Sequence, residues 1–307
     1  MMKNTFKLVV LVLGLSVCPA TASGQGQCTM QNMAATYAFT LTGASTIVLG
    51  PAPDTFHWSA LYAPTAGVGV ITIKPDGKLE GQYWVVSGTV NFGLTPIPVH
   101  GTATVNADCT GTIVGTLPDG STQEERFVVL GNGREIHSVA TETGVPTGNW
   151  LTTAYRLGGS CGQHKVHGDY LFECRNLFEL PVPPPDPNIF GGAIHIRTLI
   201  ARGGDYTATV YGKVGPSNSE FPASGHLTVH DDCTAEGTLE TPFLPTVSHA
   251  RGVFFDEGRR GFWLPLVNTL PDGSTRPQPY GYCVITKVDN TDPRDQSSSM
   301  TRRGSRP

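Results

Sequence analysis

The segment Gly101-Thr-Ala-Thr-Val-Asn-Ala-Asp-Cys109-Thr recurs as Gly225-His-Leu-Thr-Val-His-Asp-Asp-Cys233-Thr. Upstream, Cys28 is followed after eight residues by Tyr37-Ala-Phe39, and Cys161 after eight residues by Tyr170-Leu-Phe172. Two anchors in the same order and at similar separation identify a tandem duplication. The chain therefore has to fold as two similar units of about 130 residues each, well within the ordinary domain range. The spacing sets repeat one at residues 23–157 and repeat two at 158–288, with the joint in Arg156-Leu-Gly-Gly-Ser160. On this division the proline-rich stretches at 50–54 and 183–187 are matching internal loops rather than linkers. The heptapeptide Thr116-Leu-Pro-Asp-Gly-Ser-Thr122 also recurs, at 269–275, but out of register with the cysteines; it reads as reuse of a good turn sequence.

The first 22 residues read as an export signal. Lys3 and Lys7 precede an apolar run, Leu8 to Cys18, too short to cross a bilayer, and Ala20-Thr21-Ala22 gives a small-x-small cleavage pattern. A lipoprotein signal through Leu15-Ser16-Val17-Cys18 fits poorly, because Val17 stands where a small residue is wanted and Pro19 follows. The expected address is secreted, periplasmic or cell-envelope. Loss of Cys18 leaves six of the seven cysteines, an even number that in an exported chain points to disulfides. Loss of Lys3 and Lys7 takes the formal charge from −4 to −6, a balance that favours neither nucleic acid nor an anionic membrane. No later segment is long and apolar enough for a membrane span. Residues 289–307, rich in Ser, Asp and Arg, read as a disordered tail.

Helical spacing is scarce and strict alternation is common. Val68 to Lys74 and Lys78 to Val86 flank Pro75-Asp76-Gly77, a hairpin with ready turn geometry. Phe127 to Leu130 with Arg134 to Val139, around Gly131-Asn132-Gly133, repeats the pattern, as do Gly252 to Phe255 and Arg259 to Leu266 around Asp256-Glu257-Gly258. Successive hairpins with short turns favour neighbour-to-neighbour pairing. The fold class is all-β, two tandem small antiparallel up-and-down barrels.

The run Cys-x8-Tyr-x-Phe, a Gly-rich hairpin, then Gly101-Thr-Ala-Thr-Val-Asn-Ala-Asp-Cys109-Thr-Gly-Thr112 resembles a group of exported bacterial proteins whose domains are similar to calycin-like or allene-oxide-cyclase-like β-barrels. The resemblance covers most of repeat one and both anchors of repeat two. It implies a fold and an exported address and carries over no catalytic residues. A lipocalin proper would carry Gly-x-Trp on its first strand, whereas Gly148-Asn149-Trp150 lies near the last strand of repeat one.

Matching places in the repeats pair Cys28 with Cys109 and Cys161 with Cys233. Cys174 and Cys283 have no counterparts in repeat one. They fall on the first and last strands of repeat two, neighbours only if that barrel closes, so a Cys174–Cys283 bridge tests closure.

Chemistry is thinly signalled. His226, Thr228 and His230 share a strand face and Asp231 and Asp232 follow, making His226, His230 and Asp232 a candidate metal set. Repeat one has Thr102, Thr104 and Asn106 in those places, so a polar face explains the same pattern. His164 and His167 match no ligand spacing and read as a loop. Glu124-Glu125 and Asp256-Glu257 are adjacent, so on a strand each pair points to opposite faces and makes a poor acid/base couple; solvated edges or turns explain them better. No catalytic motif and no cofactor signature occurs. Aromatic side chains, among them Tyr37, Phe39, Tyr83, Trp84, Trp150, Tyr155, Tyr170, Phe172, Phe254, Phe255 and Trp263, are expected to alternate into the lumens. The expectation for function is a non-enzymatic exported module that binds a small apolar ligand or a cell-envelope component. The alternatives are a cofactor-independent cyclase or isomerase for a hydrophobic substrate, and a purely structural surface protein.

Overall fold

A computed structural model describes residues 28–48, 60–87, 90–91, 93–116, 118, 120, 122–141, 148–174, 194–214, 217–242, 244–277 and 281–288. The expected leader (1–22), tail (289–307) and proline-rich loops (50–54 and 183–187) lie outside these residues. Among the described residues no helix is long and apolar enough to cross a membrane.

Repeat one opens with a one-turn helix α1 (Met30–Met33), then strands β1 (Ala35–Val48), β2 (Ala60–Ile73), β3 (Lys78–Ser87), a two-residue β4 (Val90–Asn91), β5 (Ile97–Val105), β6 (Thr110–Thr116), β7 (Thr122–Leu130), β8 (Glu135–Thr141) and β9 (Gly148–Arg156). Each long strand pairs antiparallel with its neighbour in sequence, the short β4 pairs antiparallel with the end of β3, and β9 returns to pair with β1. Repeat two repeats the course with β10 (Gly168–Cys174), β11 (Ile194–Ile200), β12 (Asp205–Val214), β13 (Ser217–Val229), β14 (Thr234–Thr241), β15 (Leu244–Phe255), β16 (Arg260–Thr269), a short β17 (Thr275–Pro277) and β18 (Cys283–Lys287). Here β18 closes on β10, and the short β17 pairs antiparallel with the end of β16. The result is two closed eight-stranded antiparallel up-and-down barrels. Closure removes the exposed sheet edges that would otherwise invite aggregation.

Turn chemistry explains the sequence signature of the repeat. In the loop Asn106–Thr110, the Asn106 amide donates to the Thr110 carbonyl at 2.8 Å and the Cys109 amide to the Asn106 carbonyl at 3.0 Å. The same pair of bonds holds His230–Thr234 and the Lys74–Lys78 loop that carries Pro75-Asp76-Gly77. This three-residue hairpin needs a left-handed residue at its last position. Gly77 fills it at φ 83°, whereas Cys109 and Cys233 fill it at 69° and 72°. A side chain there costs energy that glycine avoids, and the bridge each cysteine makes offsets it. Asp108 and Asp232 complete the turns, each accepting from the amide and the hydroxyl of the Thr two residues on, at 3.0 and 2.7 Å and at 3.0 and 2.6 Å. The hydrogen bonds to Thr110 hold the Asp108 carboxyl below its usual range.

All three expected bridges are present. Cys28–Cys109 and Cys161–Cys233, with Cα atoms 5.0 and 4.9 Å apart, tie the segment before each first strand to one end of its barrel. There Met33 and Val166 plug the two cores, both fully buried. Tyr37 locks the first plug through its hydroxyl, 2.9 Å from the carbonyls of Met33 and Gly133; Tyr170 donates to Gly258 at 2.8 Å. Burial pushes both phenols up to about 12. Cys174 and Cys283 face each other across the closing strand pair, Cα atoms 3.8 Å apart, and their bridge staples the seam of the second barrel.

The barrels pack against each other through their outer walls. Ala38, Val68, Val70, Trp84 and Val86 of the first belong to the same buried cluster as Phe255, Phe262, Leu264 and Leu266 of the second. Tyr155 stacks on Phe255 at 4.9 Å between ring centres, and the Arg260 guanidinium lies 4.8 Å from the Tyr155 ring. Of the aromatics expected to alternate between the two faces of their strands, Trp84, Tyr155 and Phe255 are thus spent on this junction.

Candidate functional site

A strand that alternates inward and outward lines a barrel with every second residue. In β7, Phe127 and Val129 are buried while Arg126, Val128 and Leu130 are exposed, so the inward series is Gln123, Glu125, Phe127, Val129. Glu124 points outward and pairs with Arg126 at 2.7 Å. Adjacent acids do point to opposite faces, as expected, but one of those faces is the lumen. The expectation of a solvated edge therefore holds for Glu124 and fails for Glu125. The signal that would have found Glu125 is its place two residues before an inward Phe.

The first lumen encloses a cavity of about 90 Å³ lined mainly by apolar side chains such as Phe39, Leu41, Ile71 and Ile136. Its polar groups gather around one carboxylate. Glu125 accepts from the Ser138 hydroxyl, from the Trp150 indole N–H at 3.3 Å and from the Gln123 amide at 3.3 Å. Thr152 lies directly across the β8–β9 pair from Ser138, and its hydroxyl is buried without a hydrogen-bond partner among the described residues.

The second lumen holds a larger cavity, about 170 Å³, lined by Phe172, Ile196, Val210, Leu227, Ala250 and Trp263 among others. The Tyr206 hydroxyl at its wall donates to the Thr238 carbonyl, and burial raises its phenol. The wall differs from that of the first barrel by a reciprocal exchange. Phe127 sits opposite Ser138 on β7 and β8, whereas Gly252 sits opposite Trp263 on the matching β15 and β16. Trp263 needs that glycine, since a Cβ on Gly252 would lie 2.4 Å from the indole.

The candidate metal set does not converge. His226 Nδ1 lies 2.8 Å from Asp205, His230 Nε2 lies 3.9 Å from Glu236, and Asp232 is engaged in its turn. Among the described residues no group of three or more potential ligands is placed to hold a metal ion. Asp231 and Asp232 instead border an open cleft of about 610 Å³ between the barrels, with Glu80 and Arg156 on its walls. No family model matches the chain, and no curated protein matches it in sequence.

Proposed function

We propose that the protein is an exported, disulfide-stabilised, non-enzymatic binding module whose second barrel holds a small apolar ligand. The observation that carries this reading is the 170 Å³ cavity of barrel two. It is comparable to the engineered apolar cavity of about 150 Å³ that stays dry and takes up benzene or xenon. Its wall is mostly aliphatic and aromatic with a few polar groups near, the usual make-up of a small-molecule site. A purely structural protein would be served as well by two filled cores.

Native mass spectrometry of protein purified from its own host should reveal a co-purifying apolar mass. Ala250→Leu, which extends a side chain into the cavity, should abolish that mass and leave the fold intact. A ligand retained in full by Ala250→Leu, or a wild-type protein that takes up no apolar small molecule even when saturated with xenon or benzene, would overturn the reading.

A further inference from the structure

We infer that the lumen of the first barrel is a second binding site, selective for a short primary amine whose ammonium meets Glu125 and Thr152. Glu125 is a partly buried carboxylate whose three partners, Gln123, Ser138 and Trp150, are all neutral. A carboxylate offers about four acceptor positions, so among the described residues the geometry leaves one open and pairs no cationic side chain with it. The cation closest in sequence, Arg126, faces outward and is engaged with Glu124. Buried or half-buried charges are costly unless paired. A cationic occupant is the chemistry that completes this site.

The second observation is independent of the acid. Thr152 Oγ1 is buried in the same lumen with no partner among the described residues, two positions along β9 from Trp150 and across from Ser138. Buried hydroxyls are almost always satisfied. An ammonium carries three donors and no acceptor, so it can bond the open carboxylate position and, once rotation of the Thr152 side chain turns its buried oxygen into the lumen, that oxygen as well. A neutral alcohol can reach the same atoms but cannot neutralise the charge. Around this polar corner Phe39, Leu41, Ile71 and Ile136 offer only apolar surface. The cavity of about 90 Å³ is well below the volume of about 150 Å³ that takes up benzene, so it suits a smaller guest. The fitting ligand is therefore an amine with a short alkyl body, such as n-propylamine.

The site is in the other barrel from the apolar cavity, so the two readings fail separately. The test is an NMR titration of the full mature protein at neutral pH with n-propylamine and, separately, with n-propanol. The expected result is a saturable shift of the Trp150 indole N–H with the amine, at least about tenfold tighter than with the alcohol, as a charge-assisted contact requires. Glu125→Gln, which preserves shape, should weaken the amine about tenfold or more and leave alcohol affinity unchanged; Thr152→Val should weaken the amine by a smaller factor. Equal affinity for amine and alcohol, no saturable shift at Trp150, or full amine affinity in Glu125→Gln would each overturn the inference. If Glu125→Gln does not fold, the amine–alcohol pair on the wild-type protein decides alone.

Discussion

Overlaid by their turns, the two barrels agree at one end and differ in their lumens. Each has a plug before the first strand, a bridge from that segment to a left-handed cysteine, and a buried tyrosine whose hydroxyl reaches a hairpin carbonyl. Higher up, Phe127 and Ser138 of the first barrel become Gly252 and Trp263 in the second. Thr152 of the first, on its closing strand, gives way to Cys283 with its seam bridge. Duplication has thus kept the parts that set backbone geometry, where substitution is costly. It has changed interior positions in compensating pairs, where volume can be traded between facing strands. One lumen is small and centred on a carboxylate; the other is larger and apolar.

The largest effect should come from the feature that only barrel two has. The Cys174–Cys283 bridge spans 109 residues of chain, and the chain-entropy argument assigns such a loop about 4–5 kcal/mol. Replacing both cysteines with alanine should destabilise the protein by that order. In hydrogen exchange, the loss of protection should be concentrated in β10 and β18, with barrel one little changed. Equal loss in both barrels would mean that they unfold as one unit and that the seam staple is not specific to the second.

The reciprocal exchange in the walls can be tested by undoing it. Trp263→Ser places the first barrel's residue in the second and should cost roughly 3–5 kcal/mol, since Gly252 offers nothing to fill the space. Gly252→Ala should cost more in the wild type, where its Cβ meets the Trp263 indole at 2.4 Å, than in the Trp263→Ser variant, where only the Phe262 carbonyl at 2.6 Å opposes it; the difference, about 1–3 kcal/mol, is a coupling expected only of residues that share a cavity. Chemical denaturation of the single and double variants measures it. Strict additivity would break the claim that the two walls are compensating solutions to one packing problem.

Much of the architecture was legible in the sequence, and the reasons are specific. Period-two alternation around Pro75-Asp76-Gly77 and Gly131-Asn132-Gly133 locates hairpins because turn geometry restricts which residues can stand there. Cys174 and Cys283 locate closure because a bridge cannot span more than about 7 Å between Cα atoms. The barrel junction was not legible. Phe262-Trp263-Leu264 is buried on both faces of one strand. An apolar run of that kind marks two-sided burial without saying what covers the second side. Glu125 was missed for a related reason. Alternation assigns neighbouring acids to opposite faces, but only the register against Phe127 tells which face is the lumen. Asp232 looked like a ligand because turn-completing aspartates and metal-binding ones have the same composition; the Thr two residues on was the distinguishing sign.

The shared end of the barrels makes a symmetric prediction. Tyr37 and Tyr170 titrate near 12 when folded against an ordinary 10.0, because burial disfavours the phenolate. A raised folded value means that the stabilisation is complete below pH 10 and is lost as pH rises through 12. Each shift corresponds to roughly 2–3 kcal/mol. Alkaline unfolding should therefore begin above pH 10 in both barrels, and further in barrel two, where burial also raises the Tyr206 phenol. Tyr37→Phe and Tyr170→Phe should each move its own barrel's transition upward relative to its stability at neutral pH. Failure of Tyr170→Phe to move barrel two while Tyr37→Phe moves barrel one would show that the plugs are not equivalent.

The smallest effect concerns one hydroxyl, and its sign is the test. Thr152 Oγ1 of barrel one is buried with no partner among the described residues, whereas the buried Thr40 Oγ1 donates to the Gly67 carbonyl at 3.1 Å. Valine matches threonine in shape and removes the hydroxyl. A buried polar group left unpaired costs about 1–3 kcal/mol, and a made hydrogen bond contributes about 1 kcal/mol net. Thr152→Val should therefore stabilise the ligand-free protein by about 1 kcal/mol, and Thr40→Val should destabilise it by a similar amount. Barrel two has no such latent gain at the matching place, where Cys283 is bridged. Paired denaturation curves give the answer. If Thr152→Val lowers stability instead, its hydroxyl is already satisfied in solution, and the first lumen is as complete without a guest as the end it shares with the second.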